Sequence, residues 1–105
     1  MRGDIYELKA SHAARGHERQ DRRYAVILQS DDLPLSTVIA APTSTSARPA
    51  RFRPEIDLNG VATRIMIEQM AAVDVETRLG AFVGRLGTDD LRRVEAALRI
   101  VVALD

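Results

Sequence analysis

The sequence predicts a mainly-β fold closed by a single amphipathic helix at the C-terminus. Three observations point there: a continuous apolar run at Tyr24-Ala25-Val26-Ile27-Leu28, several short β-branched segments punctuated by Pro and Asn-Gly, and apolar residues recurring at three- and four-residue steps across residues 91–101. A length of 105 residues, 46% hydrophobic and 29% charged, supports one domain over residues 1–105, since two would leave neither half a sufficient core. That apolar fraction is too high for a disordered chain. The expected result is a small curled sheet of about five to seven short strands with a closing helix.

Residues 2–9 place Ile5 on one face and Tyr6 and Leu8 towards the other, which reads as a short strand. Residues 10–23 hold Gly16, both histidines and four Arg without an apolar period, and read as an exposed loop. The run at 24–28, followed by Gln29-Ser30-Asp31-Asp32, reads as a strand buried on both faces. Residues 37–41 form the next strand, expected to stop at Pro42, which has no amide proton to give a ladder. Residues 42–54, PTSTSARPARFRP, form a second loop where function can sit. Residues 55–58 and 64–67 read as two strands around Asn59-Gly60, whose residues tolerate positive φ; the spacer Val61-Ala62-Thr63 argues against a plain two-residue turn. Residues 81–86 make a last short strand. Thr88 is expected to cap a helix over 88–103, with Asp89 and Asp90 at the positive end of its dipole. Leu91, Val94, Leu98 and Val101 form its apolar stripe, flanked by Ala97 and Leu104.

Composition excludes several function classes. No apolar run approaches the roughly 20 residues needed to span a bilayer, so no membrane partner is implied. The opening Met1-Arg2-Gly3-Asp4 lacks the apolar stretch of a signal peptide. The absence of Cys removes disulfides, thiolate zinc sites and thiol nucleophiles together, and agrees with a reducing cytoplasm. Only His12 and His17 are present, too few and too close for a His-rich catalytic zinc site. Net charge is zero, yet residues 1–53 carry nine Lys/Arg against six Asp/Glu while residues 54–105 carry six against nine. Arginine forks grip phosphate oxygens two at a time, so the basic half suits an anionic partner; Arg-rich usage also follows from genome base composition alone.

The sequence has no dinucleotide or phosphate-binding glycine loop, no H-E-x-x-H and no G-x-S-x-G. Asp31-Asp32 and Asp89-Asp90 read as a turn and a cap, and no cofactor or metal is implied. Two loops remain. One offers His17, Glu18, Arg22 and Arg23 before a buried strand; the other offers Thr43, Ser44, Thr45 and Ser46 after one. If residues 24–28 and 37–41 pair antiparallel, Arg23 and Thr43 meet near one sheet edge. A carboxylate, an Arg and hydroxyls can cleave a phosphodiester without metal. One group takes the ribose 2′-OH proton, another supplies a proton or positive charge at the leaving 5′-oxygen, and Arg offsets the phosphorane charge. The alternative is a solvated salt-bridge cluster beside hydroxyls that only make turns.

Gly3-Asp4-Ile5-Tyr6, then Gly16-His17-Glu18 and Arg22-Arg23 before Ala25-Val26-Ile27-Leu28, resembles the N-terminal half of MazF/PemK-type toxins. The resemblance continues through Ala41-Pro42-Thr43-Ser44, Ile65-Met66-Ile67-Glu68-Gln69 and Val83-Gly84-Arg85-Leu86, and so covers essentially the whole chain. No single piece is specific; the ordered set is. It implies an SH3-like small barrel, shared with plasmid gyrase poisons, in a homodimeric toxin of a type II toxin–antitoxin system. It also implies metal-independent cleavage of single-stranded RNA and neutralisation by a cognate antitoxin, an acidic, partly disordered segment. By the resemblance Arg23 and Thr43 are the catalytic pair and Glu18 assists or positions the substrate. His17, Arg22, Tyr24, Ser44, Glu68 and Gln69 are the expected RNA-binding residues.

The chain departs from the family pattern at two places. Tyr24 stands where Pro commonly follows the Arg, with stacking on a base and packing both open to it. Ala71 stands where a cation commonly follows the acidic-Gln element, which weakens phosphate grip or alters base choice. Met66 occupies a position where one branch of the family has Arg. Two alternatives share the fold: a catalytically weak relative that binds antitoxin and regulates its operon, and a gyrase poison, whose Trp-containing tail this chain lacks.

Overall fold

The computed structural model describes residues 1–9 and 23–104. Among these lie seven strands: β1 Asp4–Leu8, β2 Tyr24–Ile27, β3 Thr37–Ser44, β4 Glu55–Leu58, β5 Val61–Ile65, β6 Ala71–Asp74 and β7 Leu79–Arg85. A short helix α1, Val75–Arg78, and the long helix α2, Thr88–Val101, complete the set, with a 3-10 turn at Ile67–Gln69. The sheet order is β4-β5-β3-β2-β1-β7, with β6 paired to β3, and every pairing is antiparallel. The loop expected at residues 10–22 lies outside the described residues.

β3 organises the sheet. Its first half pairs with β6 (Thr37 to Asp74 through Ala40 to Ala71), while Thr43 and Ser44 pair with Ile65 and Arg64 of β5. One edge of β3 therefore changes partner midway, and the sheet curls over at that point.

The strand expected to stop at Pro42 in fact runs through it to Ser44. Amide and carbonyl of one strand residue point to the same edge, and the Pro42 carbonyl accepts the Met66 amide at 2.9 Å. The missing N–H thus falls on the edge where β6 gives way to β5, not on the β2 ladder.

The β4–β5 connection is a two-residue turn after all, with Leu58 opposite Val61 and φ of 54° and 84° at Asn59 and Gly60. Positive φ at both central residues matches the right-handed twist of the strands, and the Asp57 carboxylate accepts the Gly60 amide at 2.7 Å. The second strand accordingly occupies Val61–Ile65 rather than 64–67, and Ile67 drops into the 3-10 turn. α1 is started by Asp74, an N-cap whose carboxylate accepts the Thr77 amide at 3.0 Å, whereas β6 carries no clear local signal. Ala71-Ala72 is a poor strand former, and pairing with β3 decides its conformation.

The central strands are apolar on both faces, as the 24–28 run predicts. Ile5, Val26 and Ala41 turn towards α2, joining Ile56, Ile65, Ile67 and Val94 in the main core. Ala25, Ile27, Val38, Ala40 and Leu79 form a second cluster on the opposite face, covered in part by Tyr6, Leu8, Val73 and Val75. Gly3 and Asp4 of the N-terminal motif are structural. Gly3, at φ 87°, gives its amide to the Ile27 carbonyl and receives the Leu86 amide. The buried Asp4 carboxylate holds Arg85 Nε at 2.7 Å and raises that guanidinium above its ordinary pKa. Asp31 is pulled below the usual carboxylate range by its hydrogen bond from the N-terminal ammonium.

In α2, Val94 and Ala97 are buried and Leu91, Leu98 and Val101 pack beside them, so the stripe is where the periodicity puts it. Its ends differ from expectation. Gly87 is the N-cap, with no side-chain cap bond, and Thr88 is already helical. The helix stops at Val101, Ala103 turns to φ 58°, and Leu104 is left 64% exposed outside the stripe.

Candidate functional site

Residues opposite one another in β2 and β3 include Ala25 and Pro42. One and two steps further along this register, Tyr24 falls beside Thr43 and Arg23 beside Ser44. The conditional pairing read from the sequence is therefore realised, and these residues line a cavity of about 170 Å³ together with Thr45 and Ser46. Its opposite wall is the β4–β5 turn, contributing Leu58, Asn59, Val61 and Thr63.

Local structure explains how each group is presented. The Arg23 carbonyl accepts the Leu8 amide at 2.9 Å, tying its backbone to β1, and Arg23 lines the cavity from there. Thr43 is 4% exposed, held between its β2 and β5 neighbours. Ser44 Oγ accepts the Ser46 amide at 3.1 Å and lies 3.4 Å from Ser46 Oγ, a serine turn that stops β3. Tyr24 is half-buried and packs against the main core, so packing is at least part of its role, while it still lines the cavity.

Glu68 and Gln69 are not in this cavity. They sit in the turn at Ile67–Gln69, where Gln69 is exposed and Glu68 Oε2 receives Arg53 Nε at 2.9 Å and Nη2 at 2.6 Å. Glu68 Oε1 is buried without a partner among the described residues. The pair tethers the end of the 45–54 loop to the turn. Arg64 reinforces it, donating to the Arg53 carbonyl at 2.9 Å. His17, Glu18 and Arg22 lie outside the described residues. Among the described residues, no three His, Asp or Glu side chains converge as metal ligands would.

The residues missed in the sequence are those of the far wall. Asn59-Gly60 was legible as a turn, but nothing local indicates that the turn faces residues 43–46. That follows from β5 pairing with the last two residues of β3. Chemically, the cavity sets a guanidinium and a nearly buried hydroxyl at one rim, with mixed apolar and amide groups across from them.

A curled sheet closed by α2, with Arg and Thr at the β2–β3 rim, defines the class: an SH3-like small barrel of the mainly-β kind. The chain belongs to the PemK-like, MazF-like toxins of type II toxin–antitoxin systems, a family that matches residues 1–102. It is 40% identical over 98 residues to a candidate toxin of Mycobacterium tuberculosis (strain ATCC 25618 / H37Rv), covering 93% of this chain and 92% of that one. Among solved structures it resembles the Mycobacterium tuberculosis toxin MazF-mt6 with a TM-score of 0.78 at 20% identity, over 97% of this chain and 98% of that one. A mycobacterial endoribonuclease in complex with its cognate antitoxin gives 0.80 at 14% identity, over 100% and 96%. At such identities these two likenesses speak for the fold.

Proposed function

We propose that this toxin is a single-domain, cytoplasmic, metal-independent endoribonuclease that cuts single-stranded RNA at selected sequences. The observation that carries the reading is the convergence of Arg23 and Thr43 on one cavity in a chain of this family. In the reaction the ribose 2′-oxygen attacks the adjacent phosphorus, its proton passing to a base for which Glu18 is the candidate. The leaving 5′-oxygen takes its proton from water at the cavity rim, and a 2′,3′-cyclic phosphate remains. Arg23 offsets the charge that develops on the phosphorane, and Thr43 donates to the same oxygens. Incubation in EDTA with a long single-stranded RNA is expected to give discrete cuts with 2′,3′-cyclic phosphate or 3′-phosphate ends. Intact RNA across a complex pool would overturn the reading. It would favour a catalytically weak, antitoxin-binding relative, a view that Ala71 at the opening of β6 supports.

The antitoxin is proposed to be an acidic, partly disordered segment that folds over the 45–54 loop, where Arg48 and Arg51 are exposed. Bound partner is expected to protect that loop from proteolysis; unchanged cleavage there in the complex would refute this placement.

The second face of the sheet is the proposed homodimer surface. Among the described residues no helix as long as α2 covers it, and Phe82, 57% exposed, stacks edge-on to Tyr6 at 5.6 Å. The same face opens into a cavity of about 610 Å³ beside Leu33 and Leu35, themselves 53% and 59% exposed. Two-fold pairing would bury these groups. Phe82→Glu is expected to raise the dimer dissociation constant at least about tenfold in sedimentation velocity. A wild-type protein that is monomeric at micromolar concentration would sink the proposal.

A further inference from the structure

We infer that the cavity between β2–β3 and the β4–β5 turn is a single-base subsite, and that the Asn59 carboxamide reads the base seated there. This rests on the RNA-cleaving reading above and adds a specificity residue outside the family motifs of this chain.

The first argument is size and shape. About 170 Å³ is small beside the roughly 300–1,000 Å³ of drug-sized ligand sites. It suits one flat base with its sugar and phosphate left at the rim, where Arg23 and Thr43 stand. The second argument is the lining. Tyr24 on one side, with Leu58 and Val61 on the other, offers faces against which an unstacked base can lie.

The third argument is which polar groups remain uncommitted. The Thr63 hydroxyl donates to the Val61 carbonyl at 3.0 Å, and the Ser44 hydroxyl holds the Ser46 amide at 3.1 Å. The Asn59 carboxamide has no partner among the described residues. It presents a donor and an acceptor side by side in a plane, the complement of a base edge. The turn fixes where its Cα–Cβ bond leaves the backbone, with φ at 54°, and Asn59 stands exposed on the cavity wall.

The same φ supplies a clean variant. Glycine adopts the left-handed conformation at least as readily as asparagine, so Asn59→Gly removes the amide and keeps the turn. The test uses single-stranded oligonucleotides randomised at each position and 2′-O-methylated, so that no 2′-hydroxyl can attack. The wild-type protein should enrich one base at one position by about 5- to 150-fold, the range expected of a bidentate contact. Asn59→Gly should flatten that single position to within about twofold, leaving the other positions and the melting temperature unchanged. A wild type with no base preference overturns the inference, as does a variant that keeps the full pattern or loses it equally everywhere. Cleavage of unmodified RNA in EDTA is scored separately on both proteins. Base selection without any cutting refutes the nuclease reading and supports the subsite. Cutting by both proteins with identical preference refutes the subsite and supports the nuclease.

Discussion

Arg23→Ala is expected to lower RNA cleavage by roughly 10²–10⁴-fold, the span seen when one charge-stabilising or proton-transferring group is removed. In free energy this is about 3–5.5 kcal/mol of transition-state stabilisation. The fold should not notice, because the contribution of Arg23 to the sheet is its backbone carbonyl, which accepts the Leu8 amide and survives the substitution. Thr43→Ala should also abolish cutting. Thr43 is nearly buried, however, so Thr43→Val is the better control: it removes the hydroxyl while keeping the β-branched shape between β2 and β5. Single-turnover cleavage together with thermal melting separates the two effects. Full activity in both Arg23→Ala and Thr43→Ala would show that the chemistry lies elsewhere.

The largest effect on stability should come from Ile67→Ala. Ile67 is fully buried in the main core, at the turn that passes beneath α2. Truncating such a side chain costs about 2–5 kcal/mol, through lost transfer energy and the cavity left behind. Against a total of about 5–15 kcal/mol this is a large share, and at roughly 4–8 °C per kcal/mol it lowers the melting temperature by more than about 8 °C. Ile67→Val should cost only about 0.5–1.5 kcal/mol. Denaturant unfolding measures both, and a loss below about 1 kcal/mol for the alanine variant would refute this view of the core. Glu68 follows directly in the chain, so a loosened turn should also weaken the Arg53 tether on the 45–54 loop.

Elements whose burial pattern is written into consecutive residues were legible. The 24–28 run is buried on both faces because its strand lies inside the sheet, and the stripe of α2 lies where period 3.6 puts it. Glu55–Leu58 alternates and was placed correctly to the residue. Errors gathered where a neighbour, not the local residue, decides. A proline cannot donate, which predicts a stop at Pro42, and the change of partner along β3 makes that donor unnecessary. Thr88 has the side chain of a cap, yet the cap falls one residue earlier, at Gly87, and Thr88 is the first helical residue.

The candidate site divides in the same way. Loop ends and family pattern point to Arg23 and Thr43, and their meeting depends on the β2–β3 pairing, a property of the sheet and not of either segment alone. Glu68 and Gln69 came from the same pattern, yet they stand in a turn away from the cavity, Glu68 held by Arg53. Asn59 had a visible local purpose as a turn residue, which concealed its position on the cavity wall.

By itself the sequence determined the class of fold, the family, the helix face and the residues able to do phosphodiester chemistry, because periodicity, composition and ordered motifs are properties of the chain read locally. Only the tertiary structure decided that β3 exchanges β6 for β5, that the sheet keeps a second apolar face, and that Asn59 shares a cavity with Arg23 and Thr43. Those features depend on which distant strands share hydrogen bonds, and strand pairing is a cooperative choice of the whole sheet that no short window of residues encodes.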